Sequence, residues 1–162
     1  MTWHALCIVV LLVVLAVAAA GAQTPIVGVA SVIDGDTIEI RGQRIRLFGI
    51  DAPESSQLCV RPNGEPWRCG QQASFALADR IGRATVRCEQ RDLDRYGRVV
   101  AVCFQGIEDL GRRMVQHGWA VAFRRYSLDY VGDENIARRN RANIWSGEFD
   151  MPWDWRRQTQ NR

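Results

Sequence analysis

Residues 27–48 most constrain the fold: three short β-type runs follow one another with only turn-sized breaks between them. Residues 27–33 and 37–40 are rich in Val, Ile and Thr and are interrupted by Asp34-Gly35-Asp36. Arg41-Gly42-Gln43-Arg44 then reads as a hairpin turn into a third run, residues 45–48. A second hairpin is expected from residues 84–88 and 98–104, across a polar loop at 89–97. Helical periodicity appears elsewhere. Ala73, Leu77 and Ile81 share one face of residues 71–81, with Gly82 as the stop. Residues 108–117 read as a helix closed by Gly118, and residues 128–142 as another with Ile136 on its apolar face. Short strands with helices after them indicate α+β rather than a doubly wound sheet. A small, partly open barrel with peripheral helices fits this order, and such barrels commonly bind nucleic acid or sugars. Residues 55–68 read as a loop and residues 147–162 as an irregular polar tail.

The 162 residues suit one domain with its own core. Residues 1–22 differ in kind: an uncharged apolar run from Ala5 to Ala20 ends at Ala20-Gly21-Ala22, a small-x-small cleavage pattern. They read as an export signal, giving a periplasmic or secreted protein of residues 23–162. An inner-membrane anchor is the alternative, because the leader Met-Thr-Trp-His lacks the usual basic residue. Cys59, Cys69, Cys88 and Cys103 remain after the leader. An even number in an exported domain suggests two disulfides, with three possible connectivities. Zinc is disfavoured, since no Cys-x-x-Cys occurs and His117 is the one histidine beyond the leader. All 21 basic residues are arginine, a side chain that grips phosphate bidentately. Residues 112–162 hold ten of them against six acids, but a net charge of +3 does not by itself indicate nucleic acid.

Three clusters carry the candidate chemistry: Asp34-Gly35-Asp36-Thr37, then Arg46 through Asp51 to Glu54, then Asp94-Arg95-Tyr96-Gly97-Arg98. Singly, each reads as a turn or a set of solvated charges. Together they supply two carboxylates for a hard cation, a third acid and two arginines, each at a strand end. That combination suits cleavage of a phosphodiester.

These stretches, Val-Ile-Asp-Gly-Asp-Thr, Ile-Arg-Leu-Phe-Gly-Ile-Asp-Ala-Pro-Glu and Asp-Arg-Tyr-Gly-Arg, with Asn-Ile-Trp-Ser at 143–146, resemble the staphylococcal nuclease family in collinear order. The resemblance covers about residues 27–146 and implies a five-stranded OB barrel with about three helices, a nuclease domain at 23–146 and calcium-dependent cleavage of DNA and RNA to 3′-phosphate ends. By position, Asp36 and Asp51 correspond to the carboxylates that bind one Ca2+, joined by the backbone carbonyl of Ala52. Arg46 and Arg98 correspond to phosphate-binding arginines, and Glu54 to the carboxylate that activates water. Pro53 would fix the turn so that Asp51 faces metal and Glu54 faces water. Asp34 is expected to support the metal loop. Arg95, Tyr96 and Tyr126 resemble substrate contacts, with a solvated arginine and half-buried aromatics as the alternative. Ala52 stands where threonine is known in the family, and Gly111 where asparagine often starts a helix. No protein partner is implied, and a monomer is expected.

Cys88 and Cys103 lie nearly symmetrically about Tyr96, so a hairpin would place them opposite each other and leave Cys59 to pair with Cys69. Trp145 reads as core. Trp119, Trp153 and Trp155 read as packing for the tail, with base stacking as the alternative. A catalytically silent barrel that binds nucleic acid or protein is the alternative function; such domains lose the acids and arginines that are retained here.

Overall fold

The computed structural model describes residues 24–161, and the proposed leader lies outside them. Strands β1 (Ile26–Val32), β2 (Thr37–Ile40) and β3 (Gln43–Leu47) form an antiparallel meander. Strand β1 also pairs with β7 (Thr85–Leu93), and β7 with β8 (Val99–Gln105). The ring closes because β8 runs parallel beside β3, with Ile45 opposite Val99 and Leu47 opposite Ala101. The result is a closed five-stranded barrel of the OB type, where the sequence suggested a partly open one. Pairing between strands so far apart in the chain leaves no local signature. Alternate residues point inward, as the two-residue period of a strand requires. Ile38, Ile40, Ile45, Leu47, Val86, Val99 and Ala101 fill the core together with Ala73, Leu77 and Ile81 of helix α1 (Cys69–Ile81).

Several boundaries differ from the sequence reading. Strand β7 runs on to Leu93, because its far end is an exposed ribbon that needs no apolar alternation. Only Asp94 to Gly97 remains as a turn, with the Gly97 N–H donating to Asp94 O at 2.9 Å and φ at +76°, a value that favours glycine. Residues 55–68 include a small pair of strands, β5 (Cys59–Val60) and β6 (Pro66–Trp67). Glu108–Asp109 pairs with β8 as β9, so helix α2 (Leu110–Gln116) starts two residues later than expected. Asp109 caps it by accepting from Arg112 N, which settles how a helix with Gly111 in its first turn begins. His117 is its C-cap. Strand β4 (Ile50–Asp51) pairs with β10 (Val121–Ala122), and helix α3 is confined to Val131–Arg139.

The largest correction is the tail, which is helical. Helix α4 (Pro152–Gln160) begins with proline in its first turn, where a missing N–H costs nothing. Trp153 stacks on Phe123 at 5.4 Å, Phe149 meets Trp145 edge-on at 4.9 Å, and the buried Gln57 side chain donates to Asp150 O at 2.7 Å. Trp145, Phe149, Met151 and Trp153 cover a second apolar cluster of Cys59, Cys69, Val121 and Ile144. Tertiary packing thus makes a helix of a segment whose own sequence is polar. Trp119 instead packs on the barrel core.

Disulfides join Cys88 to Cys103, opposite each other across β7 and β8, and Cys59 to Cys69 around the β5–β6 pair.

Candidate active site

The loop before β2, the end of β3 and the short β4 meet at one end of the barrel. Asp34 Oδ1 accepts from Asp36 N at 3.0 Å, an Asx turn that folds the loop back. Leu47 N donates to Asp36 O at 2.8 Å, which ties that loop to β3. Asp36 Oδ2 accepts from Ala52 N at 3.1 Å, and its Oδ1 accepts from the Thr37 hydroxyl at 3.0 Å. Ala52, expected to offer a carbonyl to the ion, also holds Asp36 through its N–H. Asp51 stands opposite Val121, and Glu134 holds that strand by accepting from Ala122 N at 2.9 Å. Behind Glu54, a Cβ on Gly70 would lie 1.7 Å from Glu54 O, so α1 approaches this turn only because residue 70 is glycine.

Arg46 binds both aspartates. Its Nη2 donates to Asp36 Oδ2 at 3.1 Å and to Asp51 Oδ1 at 2.7 Å. Asp51 is fully buried, at 0% exposure. Burial pushes its pKa up, as does Asp36, and the bonds from Arg156 and Arg46 offset this only in part. Burial and the Asp36 charge likewise push Asp34 up to about 6. Burial works against the charge of Arg46, but Asp36 and Asp51 outweigh it and hold its pKa above the ordinary value.

Arg156 was not among the residues the sequence pointed to. From α4, its Nη2 donates to Asp51 Oδ2 at 2.7 Å, while Nη1 donates to Asp51 Oδ1 at 3.0 Å and to Glu54 Oε1 at 2.6 Å. Asp51 and Glu54, expected to face different partners, converge on this one guanidinium. Only Pro152, a helix-start residue, hinted that the tail was ordered; nothing local indicated where Arg156 would point.

Arg98 is placed differently from the expectation. Its Nε donates to Asp94 Oδ2 at 2.6 Å, and its guanidinium lies 5.7 Å from the Tyr96 ring. Arg98 directly precedes β8, whose Val100 stands opposite Arg46. Arg95 and Tyr96 are exposed at the hairpin tip, with the Arg95 guanidinium 5.1 Å from the Tyr96 ring. Tyr126 is exposed and packs edge-on against Phe123 at 5.0 Å.

Does the donor set suit calcium? Among the described residues, no three His, Cys, Asp or Glu side chains are disposed to share one ion. Asp36 and Asp51 are nonetheless hard oxygen donors close enough for one nitrogen to bridge them. Calcium takes water where protein ligands are few. Asp34, Asp36, Asp51 and Glu54 also outnumber Arg46 and Arg156, so the site carries a surplus of acid that favours a cation. Chemistry and charge fit the ion, although Arg156 lies where Asp51 would meet it.

Residues 44–147 match the family model described as Staphylococcal nuclease homologue. The chain is 41% identical to succinoglycan biosynthesis protein ExoI of Rhizobium meliloti over 132 residues, covering 80% of this chain and 69% of that protein. It is 34% identical to micrococcal nuclease of Shigella flexneri over 151 residues, 82% and 81% of the two chains. It is 33% identical to thermonuclease of Staphylococcus hyicus over 130 residues, 73% and 74% of the two chains.

Proposed function

Because the chain belongs to the staphylococcal nuclease family, we propose that it is a calcium-dependent, sequence-tolerant endonuclease that cleaves DNA and RNA to 3′-phosphate ends. The observation that supports this most is the group of Asp36, Arg46 and Asp51, joined by hydrogen bonds of 2.7 and 3.1 Å, with Glu54 three residues further along the chain. Held by Asp36 and Asp51, with further oxygens from water and the backbone, a calcium ion would polarise the phosphoryl oxygen.

The remaining work falls to side chains. Glu54 accepts a proton from the attacking water. Arg46 and Arg98 hold phosphate oxygens whose charge grows in the transition state. To do so, Arg98 exchanges its Asp94 partner for phosphate. Exposed Tyr96, Arg95 and Tyr126 would meet the flanking nucleotide. Contacts of this kind run to the backbone and carry little base information. The chain acts as a monomer after export, with residues 1–22 removed.

Single-turnover cleavage of Glu54→Gln and Arg98→Lys tests these roles. Each should slow by on the order of 10²-fold or more, the scale of a lost acid–base or oxyanion group, and the two effects should not add. Wild-type rates from Glu54→Gln would refute the assignment of the base.

A further inference from the structure

Arg156 has no part in the chemistry above, yet it sits at its centre. We infer that Arg156 is an internal cation that takes the place of the divalent ion, so that metal loading and release of Arg156 are a single exchange. This rests on the reading that Asp36 and Asp51 bind such an ion.

The geometry is that of a full partner. One planar guanidinium covers both oxygens of Asp51 and reaches Glu54, with distances of 2.6–3.0 Å. A metal ion on Asp51 would stand against that guanidinium, and two cations in contact repel, so occupancy by one weakens the other. The exchange also bears on Glu54. While Arg156 donates to Glu54 Oε1 that oxygen is occupied, and release of Arg156 leaves it open to accept a bond from water. Loading the site and arming the base are thereby coupled.

The anchoring of α4 permits such a release. The helix is fastened through its first turn: Pro152 is buried, Trp153 stacks on Phe123, and Gln57 holds Asp150 O just before it. Residues 157–161 are exposed, and the Arg156 side chain itself is 30% exposed. Rotation of one long side chain removes the guanidinium while the apolar anchor stays. The two states therefore differ by one ion pair rather than by a rearranged core, which keeps the exchange reversible.

Calcium titration of the purified protein by calorimetry in metal-free buffer tests the exchange, comparing wild type, Arg156→Gln and Arg156→Lys. An ion that must displace Arg156 binds with an affinity reduced by the fraction of molecules in which Asp51 is free. Charge-assisted bonds of this kind set that fraction, so Arg156→Gln should bind calcium roughly ten- to a hundred-fold more tightly. Arg156→Lys, which keeps a charge over Asp51 and so protects the fold, should fall between. Calcium should also raise the melting temperature of Arg156→Gln more than that of wild type. Equal affinities in all three proteins, or weaker binding in Arg156→Gln, would overturn the exchange while leaving metal binding in place. No calcium binding in any of them would overturn the exchange and the calcium dependence together.

Discussion

Glu134 is fully buried, at 0% exposure, yet its partners Arg124 and Arg138 keep 44% and 43% of their side chains in solvent. It accepts from Arg124 Nη1 at 2.9 Å, Arg138 Nε at 2.7 Å and Ala122 N at 2.9 Å. The asymmetry of burial predicts an asymmetry of cost. Glu134→Gln loses charge-assisted bonds worth roughly 1.5–3 kcal/mol each, but the two arginines rehydrate and no carboxylate has to be buried, so the net loss is about 1–2 kcal/mol. Replacing both arginines, as Arg124→Met with Arg138→Met, keeps their apolar stems but leaves the carboxylate buried with one N–H. Stranding a buried charge in this way costs about 3–5 kcal/mol. Urea unfolding followed by tryptophan fluorescence measures both. If Glu134→Gln costs as much as the double arginine replacement, burial is not the controlling quantity. The site should feel the loss as well, because Ala122 pairs with Ile50, the residue before Asp51.

Gly70→Ala would drive a methyl group into Glu54 O, a backbone atom that cannot rotate aside, so turnover should fall about ten-fold or more, measured on any substrate the wild type cleaves. Asp94 tests the sign of a pH effect: bonds from Arg98 N, Arg98 Nε and Tyr96 N outweigh the desolvation that opposes them and hold its pKa below the ordinary value. Its stabilisation is then complete above the unfolded pKa of about 3.9 and is lost as pH falls through the lower folded value. Asp94→Asn should therefore melt below wild type at pH 7, with the gap closing below pH of about 4; a gap that widens in acid would contradict this.

The barrel was legible because its strands obey simple alternation and its turns carry Gly and Asp. The Cys88–Cys103 pair followed from hairpin symmetry alone. Boundaries failed where exposure weakened the apolar signal, as in β7 beyond Cys88, or where a partner strand claimed residues that look helical, as at Glu108–Asp109. The candidate site was legible as residue types at strand ends. Its charge balance was not, because Arg156 arrives on a helix formed by packing against Phe123 and the Cys59–Cys69 region. Position along the chain said nothing of that contact, which spans 105 residues from Asp51 to Arg156.

The most direct measurement is cleavage of plasmid DNA by the purified protein with calcium and then with excess chelator, with fragment ends assayed for phosphate. Calcium should give progressive degradation without discrete bands and with 3′-phosphate ends, and chelator should stop it. DNA binding without cleavage under any divalent ion, or cleavage undiminished in chelator, would contradict the account.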